Sequence, residues 1–176
     1  MSATEGQLRY RFEIHADPRL PALAWLARVD GANGLISVVA GPSVRHWDSG
    51  FFEGSWAGPA EPWAIPASTT VFGSGIVRDA DGGTTVVTPS HTMSGVFASS
   101  GERGAKVSNS LTALLAATGA ELLRDGDYPP RFIKTMEGVG HSPIAIPTDR
   151  GTIDFHFWWN LAISDDGTLQ PIRKPD

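Results

Sequence analysis

The sequence predicts an α+β domain whose sheets are largely antiparallel, stacked in two layers with helices outside. Three observations carry that prediction. Short runs of strand-forming residues are separated throughout by turn residues, in a chain of 176 with 20 glycines and 13 prolines. The runs do not alternate regularly with helical segments, as a parallel βαβ sheet would require. One segment, Lys106 to Thr118, reads as the end of a strand passing through a polar cap into an amphipathic helix. Seven to nine strands and two or three helices are expected.

Taken in order, Leu8 to Ile14 alternates apolar and polar residues as a half-buried strand should. Asp17-Pro18 has the form of a helix start, an N-cap followed by a first-turn proline. A helix with Leu20, Leu23, Trp25 and Leu26 as its apolar content is expected there, ending near Asp30-Gly31. Leu35 to Ala40 is a short apolar run and predicts a buried strand. Trp56 to Ser68 holds three prolines and is expected to be irregular. Val71–Arg78 and Thr84–Thr88 flank Asp79-Ala80-Asp81-Gly82-Gly83, a hairpin with its turn residues in place. A second strand pair is expected around Val96 and Val107, turning at Gly101-Glu102-Arg103-Gly104. Leu111, Leu114, Leu115 and Thr118 fall at i, i+3, i+4 and i+7, so one face of that helix is buried. Ser108 or Ser110 supplies its cap, and Gly119 its left-handed stop. Pro130 to Met136 predicts a second short helix before Gly138. Ala145-Ile146 and Thr152–Asn160 flank a turn at Pro147 to Gly151, and Asp165-Asp166-Gly167 marks a last hairpin. Residues 1–168 are read as one domain, and 169–176 as a tail or linker.

Composition narrows the function classes. With 41% hydrophobic residues the chain can bury one substantial core. A net charge of −5 and a pI near 5.5 argue against nucleic-acid binding, which needs a basic face to displace counterions. The longest basic cluster is Arg173-Lys174. No run approaches the roughly 18 apolar residues of a membrane span, and Met1 to Gly6 lacks the features of a secretory leader. There is no cysteine, which excludes disulfides and thiolate metal sites. A cytoplasmic location is therefore expected.

Several segments together resemble the class II glutamine amidotransferase domain of asparagine-synthetase-like proteins, over roughly residues 71 to 160. They are Gly73-Ser74-Gly75, Thr88-Pro89-Ser90-His91, Ser108-Asn109-Ser110-Leu111, and Met136-Glu137-Gly138-Val139-Gly140 ahead of Pro143-Ile144-Ala145-Ile146-Pro147. In that family a strand closes into a Ser-Glu-x-Lys-Ala-Leu type helix, which Ser108 to Leu115 matches in order and spacing more than in identity. The resemblance implies an N-terminal-nucleophile-hydrolase-like αββα fold. It also implies an ATP-pyrophosphatase-type synthetase domain or subunit as partner. The family's nucleophile is an N-terminal cysteine, and position 2 here is Ser2. A serine hydroxyl can replace a thiol when its own amine activates it, but with Met1 ahead of it Ser2 offers no free amine. The glutamine-binding segments are reduced to the fragments Asn33-Gly34-Leu35 and Phe52-Glu53-Gly54. The family's catalytic residues therefore carry over to no position. The expectation is a non-catalytic amidotransferase-like domain, without glutaminase activity of its own, attached to an amide-forming enzyme. By the same resemblance Ser108, Asn109 and Trp158 are binding residues at the partner's face, with the Pro171–Pro175 tail beside them.

Outside the resemblance, three residues are weak catalytic candidates. Glu53 lies in the aromatic segment Phe51 to Pro59 and would gain acid–base character if Phe52 and Trp56 desolvated it; core packing is the favoured explanation of the segment. His91 follows Ser90 in a polar island, where a turn is favoured over a catalytic pair. His156 shares an expected strand face with Asp154 and Trp158, opposite Ile153, Phe155, Phe157 and Trp159. That pattern suits either a ring-binding platform or an ordinary half-covered strand, and the second is favoured. The histidines His15, His46, His91, His141 and His156 show no metal-binding spacing, so neither metal nor cofactor is expected. The alternative to the amidotransferase reading is an independent binding module, with Trp56, Trp63, Trp158 and Trp159 as a carbohydrate or small-molecule platform. A small hydrolase using Glu53, His91 or His156 stands third. The sequence leaves an oligomer open.

Overall fold

The structure is a computed structural model that describes residues 10–101, 104–123, 133–137 and 142–174. The expectations for Ser2, for Leu8 and Arg9, for the Glu102-Arg103 turn, for Pro130 to Phe132, for Gly138 to Gly140, and for His141 and Pro175 lie outside these residues.

Strands dominate the described chain, arranged in two sheets. The first has seven strands in the order β1 (Arg11–Ala16), β3 (Leu35–Ala40), β2 (Trp25–Asp30), β9 (Gly104–Ser108), β8 (Val96–Gly101), β11 (Gly151–His156) and β10 (Ile144–Thr148). The second has six, in the order β13 (Leu169–Ile172), β12 (Asn160–Ile163), β7 (Thr84–Val87), β6 (Val71–Arg78), β5 (Gly50–Trp56) and β4 (Arg45–Trp47). Neighbours pair antiparallel except β1 and β3, which are parallel. The inner faces meet in one apolar cluster to which both sheets contribute, including Trp25, Ala27, Val29, Ile36 and Val107 from the first, and Phe51, Ile76, Val86 and Leu161 from the second. The Trp25 and Phe51 rings meet edge to face at 5.0 Å.

The helix expected after Asp17 does not form. Residues 17 to 24 are turns and β2 follows. The Asp17 carboxylate accepts from the backbone and the side chain of Arg19, closing an Asx turn in place of a helical N-terminus. Pro21 then removes a donor that a second helical turn would need. From Trp25 the burial has period two, with Trp25, Ala27 and Val29 inward, and that period is a strand's.

The expected helix α1 (Leu111–Thr118) does form. Ser110 Oγ accepts from the Ala113 N–H at 3.3 Å, and Gly119 adopts the left-handed stop at φ 65°. Leu114 is buried, and the helix covers the outer face of the seven-stranded sheet with Ile144, Ile146, Ile153 and Phe155. The outer face of the six-stranded sheet, formed by Phe52, Val71, Val77 and Val87, is covered instead by a 3-10 turn, Pro62–Ala67, through Ile65. Lys134–Glu137 is a 3-10 turn where the end of a short helix was expected.

Two further expectations change. The stretch 169–176, read as tail or linker, begins with β13, which pairs antiparallel with β12. Leu169 packs on the core, and Lys174 is buried. The strand expected over Thr152–Asn160 ends at His156. Phe157 to Trp159 crosses between the sheets, with Trp158 at φ 67°, and Asn160 opens β12.

Candidate functional site

The strand registers bring most of the chemistry-bearing residues to one end of the sandwich. In the first sheet Ser108 pairs with both Leu26 and Phe97, and His156 pairs with Val96. The start of β2, the end of β9, the start of β8 and the end of β11 therefore lie together. In the second sheet Glu53 pairs with Ser74, and the first residue of β6, Val71, is bonded to Ser90 beyond β7. Asn160 at the start of β12 accepts from Thr88.

Glu53 is the centre of this end. On β5 it shares the inner face with Phe51, but it sits where the two sheets part, so it is half-buried. Its Oε1 accepts from Ser74 Oγ at 2.9 Å and from Asn109 Nδ2 at 3.5 Å. The Ser74 hydroxyl in turn accepts the Trp25 indole N–H at 3.1 Å. Asn109 is held on its other side, because its Oδ1 accepts from the Trp25 backbone N–H at 2.9 Å and its Nδ2 also donates to Leu23 O at 2.9 Å. No side-chain donor among the described residues bonds to Glu53 Oε2. Burial pushes the Glu53 carboxyl above the usual range, and the bonds from Ser74 and Asn109 offset only part of that.

Asn109 also lines a cavity of about 480 Å³, with Met93, Ser94, Phe97, Met136 and Phe155. Phe97 and Phe155 stack at 4.7 Å, while Met93 and Met136 are 90% and 84% exposed at its rim. The outcome is an open, apolar recess one of whose wall residues, Asn109, is bonded on its other side to the Glu53 carboxylate. Thioether side chains adapt to irregular partners, so the recess is soft on one side and rigidly polar on the other.

Among the sequence candidates, the structure joins Glu53 to Asn109. His91 is near but not in contact with them; its Nδ1 accepts from the Met93 N–H, and its ring lies 5.6 Å from that of Phe72. His156 lies inward on β11 and is buried, with Nδ1 unpartnered. Burial lowers its pKa to about 4, so it is neutral at pH 7. No hydrogen bond or ion pair among the described residues joins it to Asp154, and Trp158 does not share its face. Trp158 packs with Phe155 and Phe157 on the outside of the seven-stranded sheet, because the strand has already ended. Ser108 is fully buried; its hydroxyl donates to Trp25 O at 2.6 Å and accepts from the Ser110 N–H at 3.0 Å. It anchors the start of β2 and has no surface to offer a ligand.

The tryptophans do not form one platform. Trp56 packs edge to face on Phe52, outside the six-stranded sheet, with the Arg45 guanidinium 4.9 Å from its ring. Trp63 lines a separate depression near Pro59 and Ile172. The sequence reading missed Ser74, Trp25, Phe97 and Met93. Ser74 could have been found from strand alternation, which places it on the same face as Ile76. Trp25 was concealed by the helix expected around it.

Among the described residues no group of three His, Asp or Glu side chains could hold a metal ion, and no helix is long and apolar enough to cross a membrane. No protein-family profile, curated protein or solved structure matches this chain.

Proposed function

We propose that the chain is a binding module for a small amphipathic ligand carrying a hydrogen-bond donor or cationic group. The observation that carries this is the contact between Glu53 and Asn109, which links a half-buried carboxylate to the wall of the apolar recess. An amine or amide on the ligand would donate to Glu53 Oε2, while its apolar part lies against Phe97, Phe155 and the two methionines. A site of this size, mostly apolar with few polar groups, has the ordinary make-up of a ligand pocket. Trp25 reports on the site, since its indole is bonded into the same network. Titration of the intrinsic fluorescence with a panel of hydrophobic amines, and with the matching carboxylates and alcohols, tests the reading. Saturable quenching by amines, weakened about tenfold or more in Glu53→Gln, is the expected result; equal response to all three series, or none, would refute it.

A second reading keeps the resemblance to amidotransferase domains. It is supported by the capped helix at residues 111 to 118 on one of two face-to-face sheets, as that fold expects. On this reading the chain is a non-catalytic, N-terminal-nucleophile-hydrolase-like αββα domain that docks an ATP-dependent synthetase, with Trp158 near the contact. The 3-10 turn at Pro62–Ala67, standing where a helical layer belongs, weighs toward the first reading. Release of ammonia from glutamine by the unaltered chain would contradict both.

A further inference from the structure

Ser90 and Lys174 form a pair that neither reading uses. Lys174 follows β13 and is only 6% exposed. Its Nζ donates to Thr88 O and lies 3.0 Å from Ser90 Oγ. No carboxylate stands within ion-pair distance of it among the described residues. An ammonium withdrawn from water without a counter-charge is costly, and burial accordingly lowers the Lys174 pKa to about 8. The amine is therefore available as a base near neutral pH, whereas an ordinary surface lysine is not.

The hydroxyl is placed as a nucleophile should be. Ser90 is half-exposed while its amine partner is covered. It is fixed on Val71 by two bonds: its N–H donates to Val71 O at 2.8 Å, and its Oγ accepts the Val71 N–H at 3.1 Å. That second bond would stabilise negative charge growing on Oγ. The next two backbone N–H groups, of His91 and Thr92, donate to no described residue. They are free to meet an oxyanion. Beside them Phe72 is 60% exposed with His91 against its ring, an apolar surface for an acyl chain.

We propose that Ser90 and Lys174 are a nucleophile–base dyad that accepts acyl groups from activated esters and passes them to water. Neutral Lys174, with one N–H on Thr88 O, takes the Ser90 proton as Oγ bonds to the ester carbonyl carbon. The carbonyl π pair moves to oxygen. Its return expels the alkoxide, which takes the proton from the Lys174 ammonium and leaves as alcohol. A water molecule then attacks the acyl-serine and gives its proton to Lys174. Ser90 Oγ departs with that proton, and the free acid is released. The pattern is the serine–lysine variant of nucleophilic catalysis.

The test uses the full chain with a fluorophosphonate probe and with p-nitrophenyl acetate, read by intact mass and peptide mapping. One probe adduct on Ser90 is expected, absent in Ser90→Ala. Labelling should be slower by about 100-fold or more in Lys174→Met, the usual range for loss of a general base. A chain that gains no adduct at Ser90, or a Lys174→Met variant labelled at the unaltered rate, would overturn the proposal. Should Lys174→Met melt below the unaltered chain, Ser90→Cys supplies the second measurement. Its thiol should alkylate with iodoacetamide faster in the presence of Lys174 than in Ser90→Cys combined with Lys174→Gln. Equal rates in those two variants count against the dyad.

Discussion

The indole N–H of Trp25 donates to Ser74 Oγ at 3.1 Å, and this bond crosses from one sheet to the other. It does two things at once. It satisfies a donor that would otherwise be buried without a partner, since Trp25 is 1% exposed. It also orients the serine so that its own proton points at Glu53. The ring that fills the core and the half-buried Glu53 carboxylate are thus parts of one network.

Replacing Ser74 by alanine should therefore cost more than a typical exposed hydroxyl. It strands the buried Trp25 donor, at about 1–3 kcal/mol, and withdraws a bond that favours ionised Glu53. Urea denaturation should show the loss, and Ser74→Thr should restore most of it. A Ser74→Ala chain as stable as the parent would show that water reaches the indole.

Leu114 makes a simpler case. It is the wholly buried residue of α1 and joins Ile146, Ile153 and Phe155 over the outside of the seven-stranded sheet. Leu114→Ala should destabilise by about 2–5 kcal/mol, the range for a leucine truncated in a packed core. The exposed Thr112 on the opposite face serves as control, because Thr112→Ala should change stability little.

What could be read in advance follows the range of the signals. The hairpins β6–β7 and β8–β9 and the helix α1 were legible because turn residues, caps and apolar period are local. The strand β2 was not, because Asp17-Pro18 begins an Asx turn as readily as a helix, and only pairing with β3 and β9 decides between them. The turn before β13 was legible at Asp165-Asp166-Gly167, but the strand beyond it was read as a tail, because Leu169 to Ile172 is a strand only where β12 offers it an edge and Pro171 disguises it. At the site, Glu53 and Asn109 were each noticed, but 56 residues separate them and no spacing in the chain announces their contact. Ser90 was noticed only beside His91. Its neighbour in sequence, His91, turns to Phe72 and Met93, and the group that reaches it is 84 residues away.

The neutral, buried His156 makes stability depend on pH in a definite direction. The unfolded chain protonates this imidazole near 6.5, the folded chain only near 4. Between those values the unfolded state binds more protons, so stability falls as the pH is lowered through the window. The gap amounts to about 3 kcal/mol at its full extent. Glu53 and Asp154, both raised by burial, work the other way, since the folded state keeps their protons after the unfolded state has lost them. The difference between the parent and His156→Gln isolates the histidine. The parent's advantage should shrink by about 3 kcal/mol from pH 7 to pH 4; a difference that stays constant would mean that the imidazole is solvated.

Removing residues 169–176 tests whether the end of the described chain is structural. The deletion takes away β13, the Leu169 contact with the core and the bonds from Lys174 to Thr88 and Ser90. It leaves β12, a strand whose Leu161 and Ile163 are core residues, as an unprotected edge. Lost ladder bonds are worth about 1 kcal/mol each, and the half-buried Leu169 adds part of the roughly 1.5–3 kcal/mol of a fully buried leucine. In a chain of this size, several kcal/mol together correspond to a fall in melting temperature of about 10 °C or more. Differential scanning calorimetry on the shortened chain should show that fall, together with concentration-dependent association as exposed edges pair. A shortened chain that melts like the parent and stays monomeric would return these residues to the status of a linker.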